Sequence, residues 1–209
     1  MVNYKCFSGG RLGSNSYLVY ASDGSAMVVD CGNPPERIYS FAKENGLTVK
    51  YIILTHGHYD HVDHTEDFAE LFSDAVVISH PAEAAVLTDP YANVSVLFGD
   101  PKAYRPAEQT VVEGDVIRLG EGDDSVEFTV LSTPGHTPGS ICLYCEKEKL
   151  MLTGDTLFAG GRGRTDFRFG DEELIWKSLD RLLSMDGEIT FLSGHGAPSR
   201  IAYERGRIF

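Results

Sequence analysis

The run "YIIL" (51–54) has the apolar character of a buried strand and leads directly into "THGHYDH" (55–61). His56, His58, Asp60 and His61 therefore crowd the end of a core strand. Burying an unpaired imidazole or carboxylate is unfavourable, and a metal cation is a partner that compensates both kinds of side chain. The cluster therefore predicts a metal site at the edge of a sheet.

Apolar runs alternate with amphipathic segments along the rest of the chain. The predicted strands are two in 16–32, joined around "SDGS", and one each in 49–55, 74–80, 125–133, 139–146, 149–155 and 188–196. Helices are predicted for 34–46, 65–72 with Thr65 as N-cap, 81–89 and 171–185. The proline-interrupted residues 90–115 are predicted to form a lid or a surface excursion. This interleaving predicts an α/β fold, with a single domain over 1–209.

Histidine or aspartate also follows several other apolar runs, and glycines flank these positions. In open α/β folds, ligands gather in the loops after the strand ends. Two histidines two residues apart in an extended segment project to the same side, so His56 and His58 can bind one ion. A single histidine such as His136 is more often a hydrogen-bonded core residue than a metal ligand. The metal prediction therefore depends on the combination of these histidines and aspartates. The seven candidate ligands, enough for two ions that share one residue, are His56, His58, Asp60, His61, His136, Asp155 and His195.

The composition narrows the class of partner. The net charge of −13 argues against nucleic acid or an anionic membrane, because both need a basic face. No stretch has the length and apolarity of a membrane span, and no signal peptide is evident, so a cytoplasmic location with reduced cysteines is expected. Cys142 and Cys145 form a CxxC inside a predicted strand, where they point to opposite faces and are interpreted as packing thiols.

The order H-x-H-x-D-H, "PGHTPGS", "GDTLF" and "GHG" resembles the metallo-β-lactamase superfamily over essentially the whole chain. Within it, "GDTLFAGGRGRTDF" (154–167) and the compact length look most like the short glyoxalase II-like hydrolases. The resemblance implies an αββα sandwich of two facing mixed sheets, with a dinuclear site at their edge. It implies one ion held by His56, His58 and His136, a second held by Asp60, His61 and His195, and Asp155 bridging them.

The implied activity is hydrolysis of a small-molecule thioester such as S-2-hydroxyacyl-glutathione by a metal-bridged hydroxide. Asp60 is the predicted catalytic residue, because it would orient that hydroxide. Arg164 is the predicted contact for a substrate carboxylate, in a glycine-rich loop with Arg162 and Arg168. Internal pairing of these arginines with Asp166 or Asp171 is the alternative. Two divalent ions are expected, with zinc as the first choice and iron or manganese as alternatives.

Two other activities remain open. A persulfide dioxygenase would use a single iron, and that family has a motif similar to "GRTDF" (163–167). The complete second ligand group favours the hydrolase. A flavodiiron electron-transfer module typically has glutamate at the position of His58 and is the weaker alternative. The sequence leaves the oligomeric state open.

The chain departs from the family pattern in two places. Asp63 and His64 stand where small residues are usual, and His64 is expected to cap a helix or face solvent rather than to support a ligand. Full-length glyoxalase II adds a helical domain that holds glutathione, whereas this sequence ends at Phe209, soon after His195. A weak hold on glutathione is therefore expected, with a high KM and tolerance of other thiols.

Overall fold

Two six-stranded sheets face each other in the computed structural model, which describes residues 1–10, 12–122 and 125–208. The first sheet contains, in spatial order, β1 (Val2–Gly9), β2 (Ser14–Ala21), β3 (Ser25–Val29), β4 (Thr48–Ile53), β5 (Val76–Ser79) and β6 (Gln109–Thr110). Strands β1 to β3 pair antiparallel, and β3 to β6 pair parallel. The sheet is therefore mixed.

The second sheet is also mixed. The remaining strands are β7 (Val116–Leu119), β8 (Val126–Ser132), β9 (Ile141–Cys145), β10 (Leu150–Gly154), β11 (Leu157–Phe158), β12 (Gly161–Arg162), β13 (Thr190–Ser193) and β14 (Ser199–Arg200). Six of these strands form the second sheet, in the order β14-β13-β10-β9-β8-β7. Strands β10 and β13 are parallel, and the other neighbouring pairs are antiparallel. Strands β11 and β12 form a separate small hairpin.

Helices cover the outer faces of both sheets. They are α1 (Glu36–Glu44), α2 (Tyr59–Val62), α3 (Thr65–Leu71), α4 (Glu83–Leu87), α5 (Glu172–Ser184) and α6 (Ile201–Glu204), with a short 3-10 helix at Ser95–Phe98. No helix among the described residues is both long enough and apolar enough to cross a bilayer.

Side-chain alternation along the strands creates three apolar layers. In β2, Tyr17 and Val19 point to the layer between the sheets, whereas Leu18 points to the layer under the helices α1 to α4. A third layer joins the second sheet to α5 through residues such as Ile175 and Leu179. These layers confirm the predicted αββα sandwich.

The structure corrects some predicted elements. Strands β1 and β7 and the two-residue strands β11, β12 and β14 lie outside the predicted elements. Strand β1 is an edge strand in which only Phe7 is buried, so it lacks a clear apolar pattern, and β7 has four residues. Residues 90–115 contain the 3-10 helix and β6. The N-cap prediction for Thr65 is wrong, because His64 precedes α3 and the Thr65 hydroxyl donates back to the Val62 carbonyl (2.7 Å).

The CxxC interpretation agrees with the structure. Cys142 packs in the layer beside α5, and Cys145 packs between the sheets, so their side chains lie on opposite faces of β9. Both thiols are free and buried.

Candidate metal centre

Seven side chains meet at one edge of the two sheets. His56 and His58 follow β4, α2 carries Asp60 and His61, His136 lies between β8 and β9, Asp155 follows β10, and His195 follows β13. Six of them are buried, and only the His195 side chain, at 27% exposure, reaches solvent appreciably. The structure thus brings together all seven candidate ligands named from the sequence.

His56, His58 and His136 form the first group. They offer ligand atoms within 4.8 Å of one another, and His58 Nδ1 lies 2.8 Å from His136 Nε2. Burial, followed by repulsion from neighbouring imidazoles, lowers the pKa of His56 and His58 well below the usual value. Both rings are therefore neutral near pH 7, and neutral imidazole is the form that binds a metal.

Asp60, His61 and His195 form the second group, again with ligand atoms within 4.8 Å. His195 Nε2 lies 3.1 Å from Asp60 Oδ2 and 3.2 Å from His61 Nε2. Burial alone would raise the Asp60 pKa, but His61 and His195 outweigh burial and hold it well below the usual range. Asp60 is therefore an anion at neutral pH.

Asp155 lies between the two groups. Its Oδ1 is 3.3 Å from His61 Nε2, and its Oδ2 is 3.6 Å from His136 Nε2 and 3.5 Å from His195 Nε2. Burial tends to lower the pKa of His61, but the carboxylates of Asp155, Asp60 and Asp30 overcome burial and raise it to about 10. This concentration of negative charge around one imidazole favours a cation.

Several buried polar atoms test whether the site suits a metal. Among the described residues, His56 Nε2, His58 Nε2 and Asp155 Oδ1 are buried and make no hydrogen bond. Unsatisfied polar atoms of this kind cost free energy unless something else compensates them. The donor set, five imidazoles and two carboxylates, fits zinc, iron or manganese. The residues therefore fit two divalent ions.

Hydrogen bonds made by the Nδ1 atoms to neighbouring oxygens orient three of the rings. His61 Nδ1 lies 2.8 Å from Asp30 Oδ2, His136 Nδ1 lies 2.7 Å from the Arg164 carbonyl, and His56 Nδ1 lies 3.1 Å from Thr55 Oγ1. Such contacts leave Nε2 for the ion and fix the ring tautomer. Asp30 also accepts from the Thr55 amide and hydroxyl, at 2.8 Å each. Asp30 directly follows β3 and is not among the seven ligands predicted from the sequence.

A buried glutamate joins the two histidine loops of the first group. Glu83 Oε1 accepts from the Thr137 hydroxyl (2.8 Å) and the Gly139 amide (2.7 Å), and Oε2 accepts from the Gly57 amide (2.6 Å). Burial raises the pKa of Glu83 to about 7, although these three donors oppose the shift. Glu83 therefore fixes the loop of His56 and His58 against the loop of His136. Nothing in its local sequence, inside a predicted helix, indicated this role.

Residue 194 has to be glycine, because its α-carbon lies close to two of the ligand side chains. A Cβ atom there would lie 2.1 Å from Asp155 Oδ1 and 2.7 Å from His61 Cε1. The "GHG" motif thus has a steric role beside its histidine, because a larger residue would displace the carboxylate between the two groups.

The arginines and His64 have partners of their own. Arg164 Nε and Nη2 each donate to the Asp166 carboxylate at 2.6 Å, whereas Arg168 pairs with Asp89 rather than with Asp166 or Asp171. Arg162 pairs with Glu172. His64 Nδ1 lies 2.8 Å from Asp67 Oδ2, and its side chain makes no cap hydrogen bond.

A cavity of about 650 Å³ opens over both groups. His58, Asp60, His136, Asp155 and His195 line its floor. This volume lies within the range of small-molecule sites, about 300–1,000 Å³. A substrate in the cavity therefore has direct access to both ligand groups.

Comparisons with known proteins agree with this geometry. The metallo-β-lactamase superfamily matches residues 9–195, so the chain belongs to that superfamily. It is 33% identical to the hydroxyacylglutathione hydrolase GloC of Haemophilus influenzae over 91% of this chain and 89% of that protein.

Two solved structures are also similar over nearly their full length. The BLEG-1 B3 metallo-β-lactamase has a TM-score of 0.89 and 32% identity, covering 98% of this chain and 97% of that one. TTHA1623, in a di-iron-bound form, has a TM-score of 0.85 and 29% identity, covering 98% of each chain. Fold, ligand groups and family together define a metal-dependent hydrolase.

Proposed function

We propose that the protein is a dinuclear metal-dependent hydrolase of thioesters, with S-2-hydroxyacyl-glutathione as a candidate substrate. The observation that carries the proposal is the position of Asp155 between two groups of three ligands on the floor of an open cavity. The similarity to GloC supports the thioester class. Zinc is the proposed metal, and the di-iron form of TTHA1623 supports iron as the alternative.

The proposed ligands have separate tasks. His56, His58 and His136 would hold one ion, Asp60, His61 and His195 the other, and Asp155 would contact both. When bound, such ions lower the pKa of water towards neutrality and polarise a carbonyl oxygen.

Asp60 is the proposed catalytic residue. Its carboxylate faces the cavity and stays ionised, so it can accept a hydrogen bond from the attacking water and orient it. Water adds to the thioester carbonyl carbon, the carbon–sulfur bond breaks, and the acid and the thiol leave. A thiolate is a good leaving group and needs little acid assistance.

Arg164 remains the proposed contact for a substrate carboxylate. It lines the cavity, but its guanidinium already binds Asp166 through both donors and lies 4.1 Å from the Phe167 ring centroid. A substrate anion would have to compete with Asp166. The expected hold on the glutathione carboxylates is therefore weak.

The test uses protein reconstituted with zinc, iron or manganese and a panel of thioesters, a cephalosporin and glutathione persulfide. We expect close to two equivalents of metal by elemental analysis and thioester hydrolysis. Asp60→Ala is expected to lower kcat by about 10² or more with at most partial loss of metal at the first group, because both the contact with the second ion and the orientation of water are lost.

His136→Ala and His64→Ala make a matched pair. The first should lose metal and activity, whereas the second should keep both, since His64 contacts Asp67 instead. Less than half an equivalent of metal, or normal turnover in Asp60→Ala, would contradict the proposal. Oxygen uptake with glutathione persulfide and no hydrolysis would support the persulfide dioxygenase instead.

A further inference from the structure

The upper wall of the cavity is apolar. Above the ligand floor, the lining side chains include Val94, Leu97, Phe98, Phe158 and Phe167. Leu97 is 64% exposed at the rim. Covering such an exposed apolar side chain with an apolar group is favourable, because it removes apolar surface from water.

The only cationic side chains on the wall, among the described lining residues, are already paired. Arg162 binds Glu172 and lies 4.7 Å from the Trp176 ring centroid, and Arg164 binds Asp166. Their charges are largely compensated within the protein. The wall therefore suits the binding of an uncharged substrate group better than the binding of an anion.

Aromatic rings stand beside both ligand groups. Phe167 contacts His58 edge-on at 5.7 Å between centroids, and Phe158 contacts His195 edge-on at 5.9 Å. Each ligand group therefore has an aromatic ring in edge contact with one of its histidines.

The backbone at Val94 is held in an unusual conformation. Val94 has a φ of 62°, which is rare for a β-branched residue. Asn93, fully buried, maintains it: its Nδ2 donates to the carbonyls of Leu87 (3.1 Å) and Lys102 (2.9 Å), and its Oδ1 accepts from the Ser95 amide (3.0 Å). Strain of this kind tends to occur at functional sites.

The neighbouring ring also ties this wall to the ligand helix. Phe98 stacks on Tyr59 at 5.4 Å, and the Tyr59 amide donates to the Asn93 carbonyl at 2.8 Å. Residues 94–98 are thus fixed next to α2, which carries Asp60 and His61.

We propose that Val94, Leu97, Phe98, Phe158 and Phe167 form an apolar subsite that binds an uncharged aliphatic or aromatic group of the substrate. The inference rests on the proposed thioesterase function and deepens it. Thioesters bearing an apolar acyl or thiol group are the preferred substrates, ahead of lactoylglutathione.

The kinetic test compares matched esters. Hexanoyl and acetyl esters of N-acetylcysteamine vary the acyl side, and acetyl esters of hexanethiol and ethanethiol vary the thiol side. Each buried methylene favours binding about three- to fourfold, so kcat/KM should rise at least tenfold in one of the two pairs. The pair that responds identifies which side of the thioester the subsite holds.

Two variants and a control locate the effect. Leu97→Ser and Val94→Gly should each lower kcat/KM for the preferred ester about fivefold or more, and by a larger factor than for the short ester. Glycine suits a positive φ, and Leu97 is exposed, so both variants should fold. Leu71→Ser, at a 39% exposed leucine of α3 outside the cavity lining, is the control and should change neither value.

A binding measurement separates this inference from the proposed function. The thioether S-hexyl-N-acetylcysteamine cannot be hydrolysed, and calorimetry should show saturable binding that Leu97→Ser weakens about fivefold or more. Such binding without hydrolysis of any thioester would support the subsite and overturn the proposed function. Equal kcat/KM for long and short esters on both sides, or unchanged binding in Leu97→Ser, would overturn the subsite.

Discussion

At the scale of single residues, Glu83 shows how a side chain outside the ligand set can control the site. It accepts three hydrogen bonds from the loops that carry His56, His58 and His136, and it is 1% exposed. A glutamine has one accepting oxygen, so the NH2 group of Glu83→Gln would face a backbone N–H, at Gly57 or at Gly139.

We expect Glu83→Gln to lower the free energy of unfolding of the metal-free protein by about 1–3 kcal/mol, the cost of a buried unsatisfied donor. It should also lose metal to a chelator faster, because one histidine loop is no longer fixed. Urea denaturation and chelator competition measure the two effects. Glu44→Gln, at an exposed position in α1, is the matched control. Wild-type stability together with wild-type metal retention would show that Glu83 has no positioning role.

At the scale of elements, residues 90–104 are anchored through Asp63, one of the departures from the family pattern. Asp63 Oδ1 accepts from Lys102 Nζ (2.6 Å) and from the Tyr104 hydroxyl (3.0 Å), and its side chain is 16% exposed. Asp63→Ala removes both contacts. Because Lys102 is 40% exposed, solvent screens the ion pair and the loss is about 1–2 kcal/mol.

That loss corresponds to roughly a five- to thirtyfold larger population of the detached segment. Tryptic cleavage after Lys102 should therefore accelerate about tenfold in Asp63→Ala, since proteolysis follows the open population when closing is fast. Asp67→Ala removes the contact with His64 instead and should cleave at the wild-type rate. Equal cleavage of the two variants would mean that other contacts, such as the stacking of Phe98 on Tyr59, hold the segment alone.

The elements that the sequence predicted are those whose apolar pattern is local. Strand β4 ends in an uninterrupted apolar run, and helix α5 has buried apolar side chains at helical spacing. Both patterns are visible within a short window of sequence. The edge strand β1 has no such pattern. The same distinction applies to the site. Motif spacing indicated which residues gather, whereas the contacts of Asp30 with His61 and of Glu83 with Gly139 join residues far apart in the chain, which no local pattern encodes.

At the scale of the whole molecule, the candidate metal centre connects the two halves of the sandwich. His56, His58, Asp60 and His61 follow the first sheet, whereas His136, Asp155 and His195 extend from the second. The first group contains His136 and the second contains His195, so both combine residues from the two halves. An ion in either group would therefore link the two sheets across the apolar layer between them, and its binding free energy would stabilise the fold globally.

We therefore expect metal removal to destabilise the entire domain rather than one loop. At a free zinc concentration a thousand times the dissociation constant, the gain in unfolding free energy is about 4 kcal/mol. For a chain of this size, this gain should raise the Tm by about 8–16 °C. Calorimetry with and without chelator measures the shift, and hydrogen exchange should slow in both β4 and β10. His64→Ala should retain the full shift, and His136→Ala should lose most of it. The opposite result would be an unchanged Tm with two equivalents of bound metal, and hydrogen exchange that slows only in the loops around the ligands. That result would show that the two sheets are not coupled through the site.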